Sequence, residues 1–206
     1  RKGLEALRGG KCELAGFNFP KSSSNNSKAF ETFGHLLTEN NRLIFFATRL
    51  QGLAVAPNNP KKIYSILDIA SRKARFINRR EGTGTRILFD QILDVLAVKP
   101  EEIEGYNDIS DTQFFTAVQI AAGKVDVGLC TANVAKENGL EFIPLAKEVY
   151  YLAADQKFLE TQKAKKFLQF LRSYDWSEHK EQLEGYDFNG TGEVFKVSDV
   201  FPSEGN

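Results

Sequence analysis

Arg75-Phe76-Ile77-Asn78-Arg79-Arg80-Glu81-Gly82-Thr83-Gly84-Thr85-Arg86 reads as a strand that passes through a Gly/Thr turn into a helix. Gly82 and Gly84 let the backbone turn tightly and come close to a ligand, and Thr83 and Thr85 carry hydroxyl donors. The N–H groups that open the following helix point at the same place, with the positive end of the helix dipole behind them. The chemistry this suits is capture of an anion, either a tetrahedral oxyanion or a carboxylate. Arg79 or Arg86 can add a charge-assisted bond, and Glu81 is placed to orient Arg79 through a salt bridge. A dinucleotide fingerprint would need a third glycine where Ile87 stands. A phosphate-binding loop would need Gly-Lys followed by Ser or Thr, a triplet absent from this segment. The remaining alternative is a capped helix after an ordinary turn.

Outward from this stretch, helix and strand patterns alternate. Upstream, Leu4, Ala6 and Leu7 before Gly9-Gly10 predict the end of a helix, and Cys12 to Phe17 a short buried strand. Ser22 to Ser27 reads as a loop and N-cap before a helix bearing Phe30, Phe33, Leu36 and Leu37. Leu43 to Ala47 and Gly52 to Ala56 read as two successive strands, and Pro57-Asn58-Asn59-Pro60 as a break. Ile63, Ile66, Leu67 and Ile69 mark a short helix, Ala74 to Asn78 a strand and Thr85 to Leu96 a helix. Tyr106 to Ile109 is a candidate strand, and Phe114 to Ala122 a helix. Val125 to Cys130 has the all-apolar character of a buried parallel strand, and Asn133 to Glu137 is helical. Phe142 to Leu145 and Val149 to Ala153 read as two strands, Phe158 to Tyr174 as one amphipathic helix and Trp176 to Leu183 as another, before a polar tail. The pattern predicts an α/β chain of mixed, mainly parallel sheets flanked by helices. The proline break and a return near Pro144 divide it into two lobes, one of residues 57–143 and one of residues 1–56 with 144–206.

Composition narrows the function. With 27 basic and 27 acidic residues among 206, the chain has no net charge and lacks the footprint that drives non-specific nucleic-acid binding. The basic cluster Arg72, Lys73, Arg75, Arg79 and Arg80 therefore reads as lobe surface plus anion site. Its apolar runs, such as Leu43 to Ala47, are far too short to span a bilayer, so no membrane insertion is expected. Cys12 and Cys130 read as two buried thiols. No methionine occurs, even at position 1, so an upstream segment is expected to have been removed or left out, or methionines to be present in modified form. His35 and His179 fall in helical patterns with no nucleophile in a recognised arrangement, and two histidines with two isolated cysteines do not compose a zinc site. No enzyme activity, cofactor or metal is expected.

Arg79 to Thr85 is similar to the R-x-D/E-G-S-G-T element of phosphate-binding and tungstate-binding periplasmic proteins, with Thr83 in the place of serine. Ala47 to Pro57, Asn78 to Arg86, Gly123 to Leu129 and Gly139 to Leu145, in that order, resemble the PBP-like substrate-binding domain of bacterial regulators and molybdenum-cofactor proteins. Leu14 to Phe17 and Gly185 to Asp187 extend the likeness. The resemblance implies a two-lobed type II periplasmic-binding-protein fold, with its first strand absent here, closing on an oxyanion such as molybdate or tungstate. It also implies a helix-turn-helix partner domain, so that DNA is met only through a domain outside this chain. Asn18 stands where such relatives carry histidine.

The candidate ligand-binding residues are Arg79, Thr83, Gly84, Thr85 and Arg86, with Thr48 and Arg49 as first-lobe donors. Gln51 lies beside that pair. Thr131, at the carboxyl end of its strand, and Tyr150, in the Glu-x-Tyr element Glu148-Val149-Tyr150, complete the set. The resulting expectation is a non-catalytic, cytoplasmic sensor of a small anion, the effector domain of a transcriptional regulator, with a second copy as partner. The alternative is an exported, periplasmic or lipid-anchored solute-binding protein whose partner is an ABC transporter.

Overall fold

The computed structural model describes residues 1–21, 27–179 and 181–201. Nine α-helices and eight strands alternate along these residues. The strands follow the order β1-β6-β2-β5-β3-β4, with β7 and β8 also pairing β2. Here β1 is Leu14–Pro20, β2 Asn41–Val55, β3 Phe76–Arg79, β4 Ile109–Ser110 and β5 Val127–Thr131. Glu141–Asp155 forms β6, Tyr186–Asp187 β7 and Val194–Lys196 β8. The helices are α1 Lys2–Arg8, α2 Ser27–Phe33, α3 Ile66–Ser71, α4 Gly84–Leu96 and α5 Gln113–Ala121. They continue with α6 Ala132–Glu137, α7 Gln156–Leu159, α8 Gln162–Ser173 and α9 Val197–Val200. No helix among the described residues is long and apolar enough to cross a membrane.

The chain divides into two compact units. Unit 1 comprises Arg1–Thr48, Glu148–His179 and Tyr186–Asn206, and unit 2 comprises Arg49–Lys147 and Lys180–Gly185. The changes of unit fall inside β2 and β6 rather than at Pro57 and Pro144. Both strands run through positions the hydropathy pattern marks as interruptions. The two strands expected over Leu43–Ala47 and Gly52–Ala56 are one, and so are those over Phe142–Leu145 and Val149–Ala153. Hydropathy fails here because a strand's continuity is set by backbone pairing: Gln51 lies opposite Thr131, between the two apolar runs. Pro144 sits in the half of β6 beyond its pairing with β1, where a residue without an N–H is tolerated.

The sheet is mixed, as expected. β3 pairs in parallel with β4 and with β5, whereas β1 with β6, β2 with β5 and β2 with β8 are antiparallel. The single helix expected over Phe158–Tyr174 is two, because Thr161 caps a new start by accepting the Ala164 N–H at 3.2 Å. Trp176 to Leu183 shortens to a 3₁₀ turn over Trp176–His179, and the polar tail contains β7, β8 and α9. The loop read at Ser22 to Ser27 lies outside the described residues except for Ser27, which opens α2.

Unit 1 packs both faces of its strands with aromatic rings. Tyr150 and Tyr151 are consecutive in β6 and so point to opposite faces. On one face Phe19 stacks near Tyr151 at 6.0 Å and meets Phe201 at 5.2 Å, while Phe17 meets Phe33 at 5.4 Å. On the other, Phe46 meets Tyr150 at 5.7 Å and Trp176 at 5.3 Å.

Unit 2 is built on Leu53, Val55, Ile63, Ile66, Phe76, Phe89 and Leu129. The rings of Phe76 in β3 and Phe89 in α4 stack at 4.4 Å, which seats the helix on the strand that leads into it. Asp126 ties down the start of β3, accepting from the Arg75 N–H at 2.9 Å and the Arg75 guanidinium at 2.8 Å. The arginine holds that carboxyl below its ordinary range. Cys12 and Cys130 are free thiols. Cys12 is half-buried, whereas burial pushes the Cys130 thiol up to about 12.

Two outcomes follow from this packing. Phe89→Ala, at a fully buried position, should destabilise unit 2 by about 3–5 kcal/mol, read as a lower urea midpoint. Asp126→Asn should lower the melting temperature at neutral pH. Because the folded carboxyl titrates below its unfolded value, its contribution is complete above the unfolded value and is lost as pH falls through the folded one. The gap between the two melting temperatures should therefore close in acid.

Candidate functional site

Three parallel strands of unit 2 end close together, β3 at Arg79, β4 at Ser110 and β5 at Thr131. Their carboxyl ends are where helices begin, and so where free N–H groups and polar side chains converge in this kind of fold. After β3 the chain turns through Arg80, Glu81 and Gly82. Gly82 has φ +74, a left-handed conformation that favours glycine. Thr83 then caps α4: its hydroxyl donates to the Arg80 carbonyl at 2.8 Å and accepts the Arg86 N–H at 3.3 Å. The Thr83 carbonyl takes the Ile87 N–H at 3.0 Å. Helix geometry leaves the Gly84 and Thr85 N–H groups with no acceptor inside the helix. The Thr83 hydroxyl is thus engaged in the cap, and Gly84 and Thr85 present the helix end.

Thr85 is 3% exposed and is the point where three elements meet. Its Oγ1 accepts from Gln51 Nε2 of β2 and from Gln113 Nε2 of α5, each at 3.0 Å. Gln113 in turn takes the Thr131 N–H on Oε1 at 3.0 Å. Sequence reading passed over Gln113 because it precedes the apolar run of its helix. Its available signal was position: it follows Thr112, the residue whose hydroxyl accepts the Phe115 N–H and caps α5.

Arg79 is buried, with Nη1 donating to the Ser110 carbonyl at 2.5 Å and Nε lacking a hydrogen-bond partner. Burial pushes its pKa down, against the opposing influence of Asp111. The orienting group is the Ser110 carbonyl and not Glu81, which is exposed and forms no ion pair among the described residues. Arg86 has a different fate. Its Nε donates to both carboxylate oxygens of Asp90, at 2.8 and 2.9 Å, and its guanidinium lies 4.4 Å from the Tyr106 ring centre. Tyr106 donates its hydroxyl to the same Asp90 at 3.0 Å. The Arg86 side chain is therefore neutralised within α4 and serves the packing of Tyr106.

Three other cations of the basic cluster have carboxylates: Arg72 meets Asp68 at 3.2 Å, Arg75 meets Asp126 at 2.8 Å, and Arg80 pairs with Asp111. Of the remaining candidates, Thr131 and Arg49 belong to unit 2, and Thr131 is buried opposite Gln51. Thr48 and Tyr150 belong to unit 1, where Thr48 is buried in β2 and Tyr150 packs edge-on to Phe46. Asn18 of unit 1 donates to the buried Glu148 carboxylate at 2.9 Å. No cluster of three His, Cys, Asp or Glu side chains that could hold a metal occurs among the described residues.

Comparison with known proteins places this arrangement. The uncharacterized protein YvgK of Bacillus subtilis (strain 168) is 32% identical over 185 residues, covering 90% of this chain and 59% of that protein. This chain thus spans about three-fifths of that relative's length. Among solved structures, a Clostridium perfringens substrate-binding protein with bound phosphate aligns with TM-score 0.62 at 17% identity, over 88% of this chain and 82% of its own. PhnD1 of Prochlorococcus marinus, in complex with methylphosphonate, aligns with TM-score 0.61 at 16% identity, over 98% and 79%. The effector-binding domain of QuiR in complex with shikimate aligns with TM-score 0.56 at 17% identity, over 81% and 73%. At these identities the likeness is one of fold. The sequence itself carries the assignment, since the model of the PBP superfamily domain matches residues 1–172, and the chain belongs to that superfamily.

Proposed function

We propose that this domain binds a small anion without transforming it, at the Thr85 end of unit 2. The observation that carries the reading is Arg79, a buried cation whose direct partner is a neutral carbonyl. A buried guanidinium is costly without a counter-charge, and an anion at this position would supply one. The surrounding groups suit such a guest: the Thr85 hydroxyl and the Gly84 and Thr85 N–H groups are donors at the positive end of a helix. Each would replace a hydrogen bond the anion loses with its water.

The solved relatives of this fold hold phosphate, methylphosphonate and shikimate, three small anions, which supports the same ligand class here. Within that class we propose an inorganic oxyanion, with molybdate and tungstate as the first probes. The biological setting we propose is the cytoplasmic effector domain of a transcriptional regulator. The likeness to a phosphate transport receptor of Vibrio cholerae favours a second setting, the solute-binding component of a transporter.

A thermal-shift screen against molybdate, tungstate, sulfate, phosphate and small carboxylates tests the class, since a ligand that binds only the folded state raises its melting temperature. Thr85→Ala should weaken the binding found by roughly 1.5–3 kcal/mol, tenfold or more by titration calorimetry. Gly84→Val should weaken it further by filling the approach to the helix end. Unchanged affinity in both variants, with circular dichroism showing both folded, would remove the site from this turn and leave it as a helix cap.

A further inference from the structure

We infer that unit 1 carries a second binding site, an aromatic cavity that takes a small organic cation, with a methylated ammonium as the best-matched guest. Every residue that lines it belongs to unit 1, and none belongs to the anion site, so the two readings stand or fall separately. The cavity measures about 560 Å³, within the range of small-molecule sites. Three of its rings come from three strands: Phe45 from β2, Tyr151 from β6 and Phe195 from β8. Phe45 and Phe195 each stand nearly perpendicular to Tyr151, at 75° and 83°, with ring centres 5.8 and 6.2 Å away. Rings crossed in this way give the cavity aromatic walls in two orientations. The electron-rich faces of such rings attract a cation and do nothing for an anion.

The charges beside the rings have the sign a cation requires. Among the described residues the lining holds two carboxylates, Glu193 and Asp199, against one lysine, Lys21. The Glu193 carbonyl accepts the Phe45 N–H at 2.8 Å, which fixes this residue next to the ring of Phe45. Asp199 is fixed by accepting the Lys196 N–H at 2.8 Å at the start of α9. Neither carboxylate forms an ion pair with Lys21 or with another cation among the described residues. The field of Glu193 reaches the aromatic wall, since burial and then the charge of Glu193 hold the Tyr151 hydroxyl above its ordinary pKa. An inorganic oxyanion would meet two like charges here, and an uncharged apolar guest would leave them unanswered. A methylated ammonium spreads its charge over methyl groups that make no hydrogen bonds to water, so it loses little on leaving water and meets rings and carboxylates together.

The decisive measurement is titration calorimetry of the whole chain with choline and with its uncharged analogue, in which carbon replaces the quaternary nitrogen. Shape is held constant, so the difference reports the charge. The expected result is that choline binds at least about tenfold more tightly than the analogue. Phe195→Leu removes one aromatic wall while keeping an apolar side chain on β8, and should weaken choline about fivefold or more. If that variant does not melt cooperatively, Glu193→Gln combined with Asp199→Asn replaces it. Both positions are exposed, and loss of the two charges should weaken choline about tenfold or more. Sedimentation with phosphatidylcholine vesicles separates two sources of the same cation: pelleting that the charge variant abolishes assigns the site to a lipid headgroup, and no pelleting assigns it to a free cation. Equal affinity for choline and its analogue, choline binding that the ring and charge variants leave unchanged, or no binding of choline by the folded chain would overturn the cation site. None of these results touches the anion site, which molybdate titration reads on its own.

Discussion

The antiparallel register of β2 on β5 is the constraint from which the candidate site follows. It sets Gln51 opposite Thr131 and Gly52 opposite Cys130. A slip of one residue would exchange the faces of every side chain in the strand and remove Gln51 from Thr85. Two features hold the register. Leu53 and Val55 must face the core that contains Phe76 and Phe89. Gly52 must lie where it does because a β-carbon there would come within 2.1 Å of the Ile143 carbonyl oxygen. Backbone packing at Gly52 and apolar burial at Leu53 and Val55 thus jointly aim a polar side chain that neither would aim alone.

Electrostatics then separates the arginines of unit 2 by task. Arg72, Arg75 and Arg80 each have a carboxylate, and their charges are spent on local ties that solvent screening keeps weak. Arg86 is buried and fully answered by Asp90 and the face of Tyr106. Arg79 is buried like Arg86 but meets a carbonyl in place of a carboxylate. The same residue type within fifteen residues therefore does three kinds of work, and the difference lies in what surrounds each side chain.

Much of the unit's plan was legible in the linear chain, for identifiable reasons. The turn Gly82-Thr83-Gly84-Thr85 announces a helix start because its conformational freedom and its capping hydroxyl are properties of single residues. The strand before it and the helix after it follow from apolar spacing. The long strands were not legible, since Thr48, Arg49 and Gln51 break the hydropathy pattern at positions where backbone pairing continues. Thr161 likewise begins a second helix, α8, inside a stretch that reads as one amphipathic run.

By itself the sequence determined the class of the protein, the location of the turn and the donor types gathered there, because these depend on neighbours in the chain. Only the tertiary structure decided what each donor does. Thr83 is spent on the cap, Arg86 on Asp90, and Arg79 on Ser110, which β4 supplies from far along the chain. Gln113 came to matter only once α5 had been set against the end of β5. The direction of a hydroxyl proton depends on which groups occupy its lone pairs, and the groups that occupy those of Thr85 come from two other elements brought together by folding.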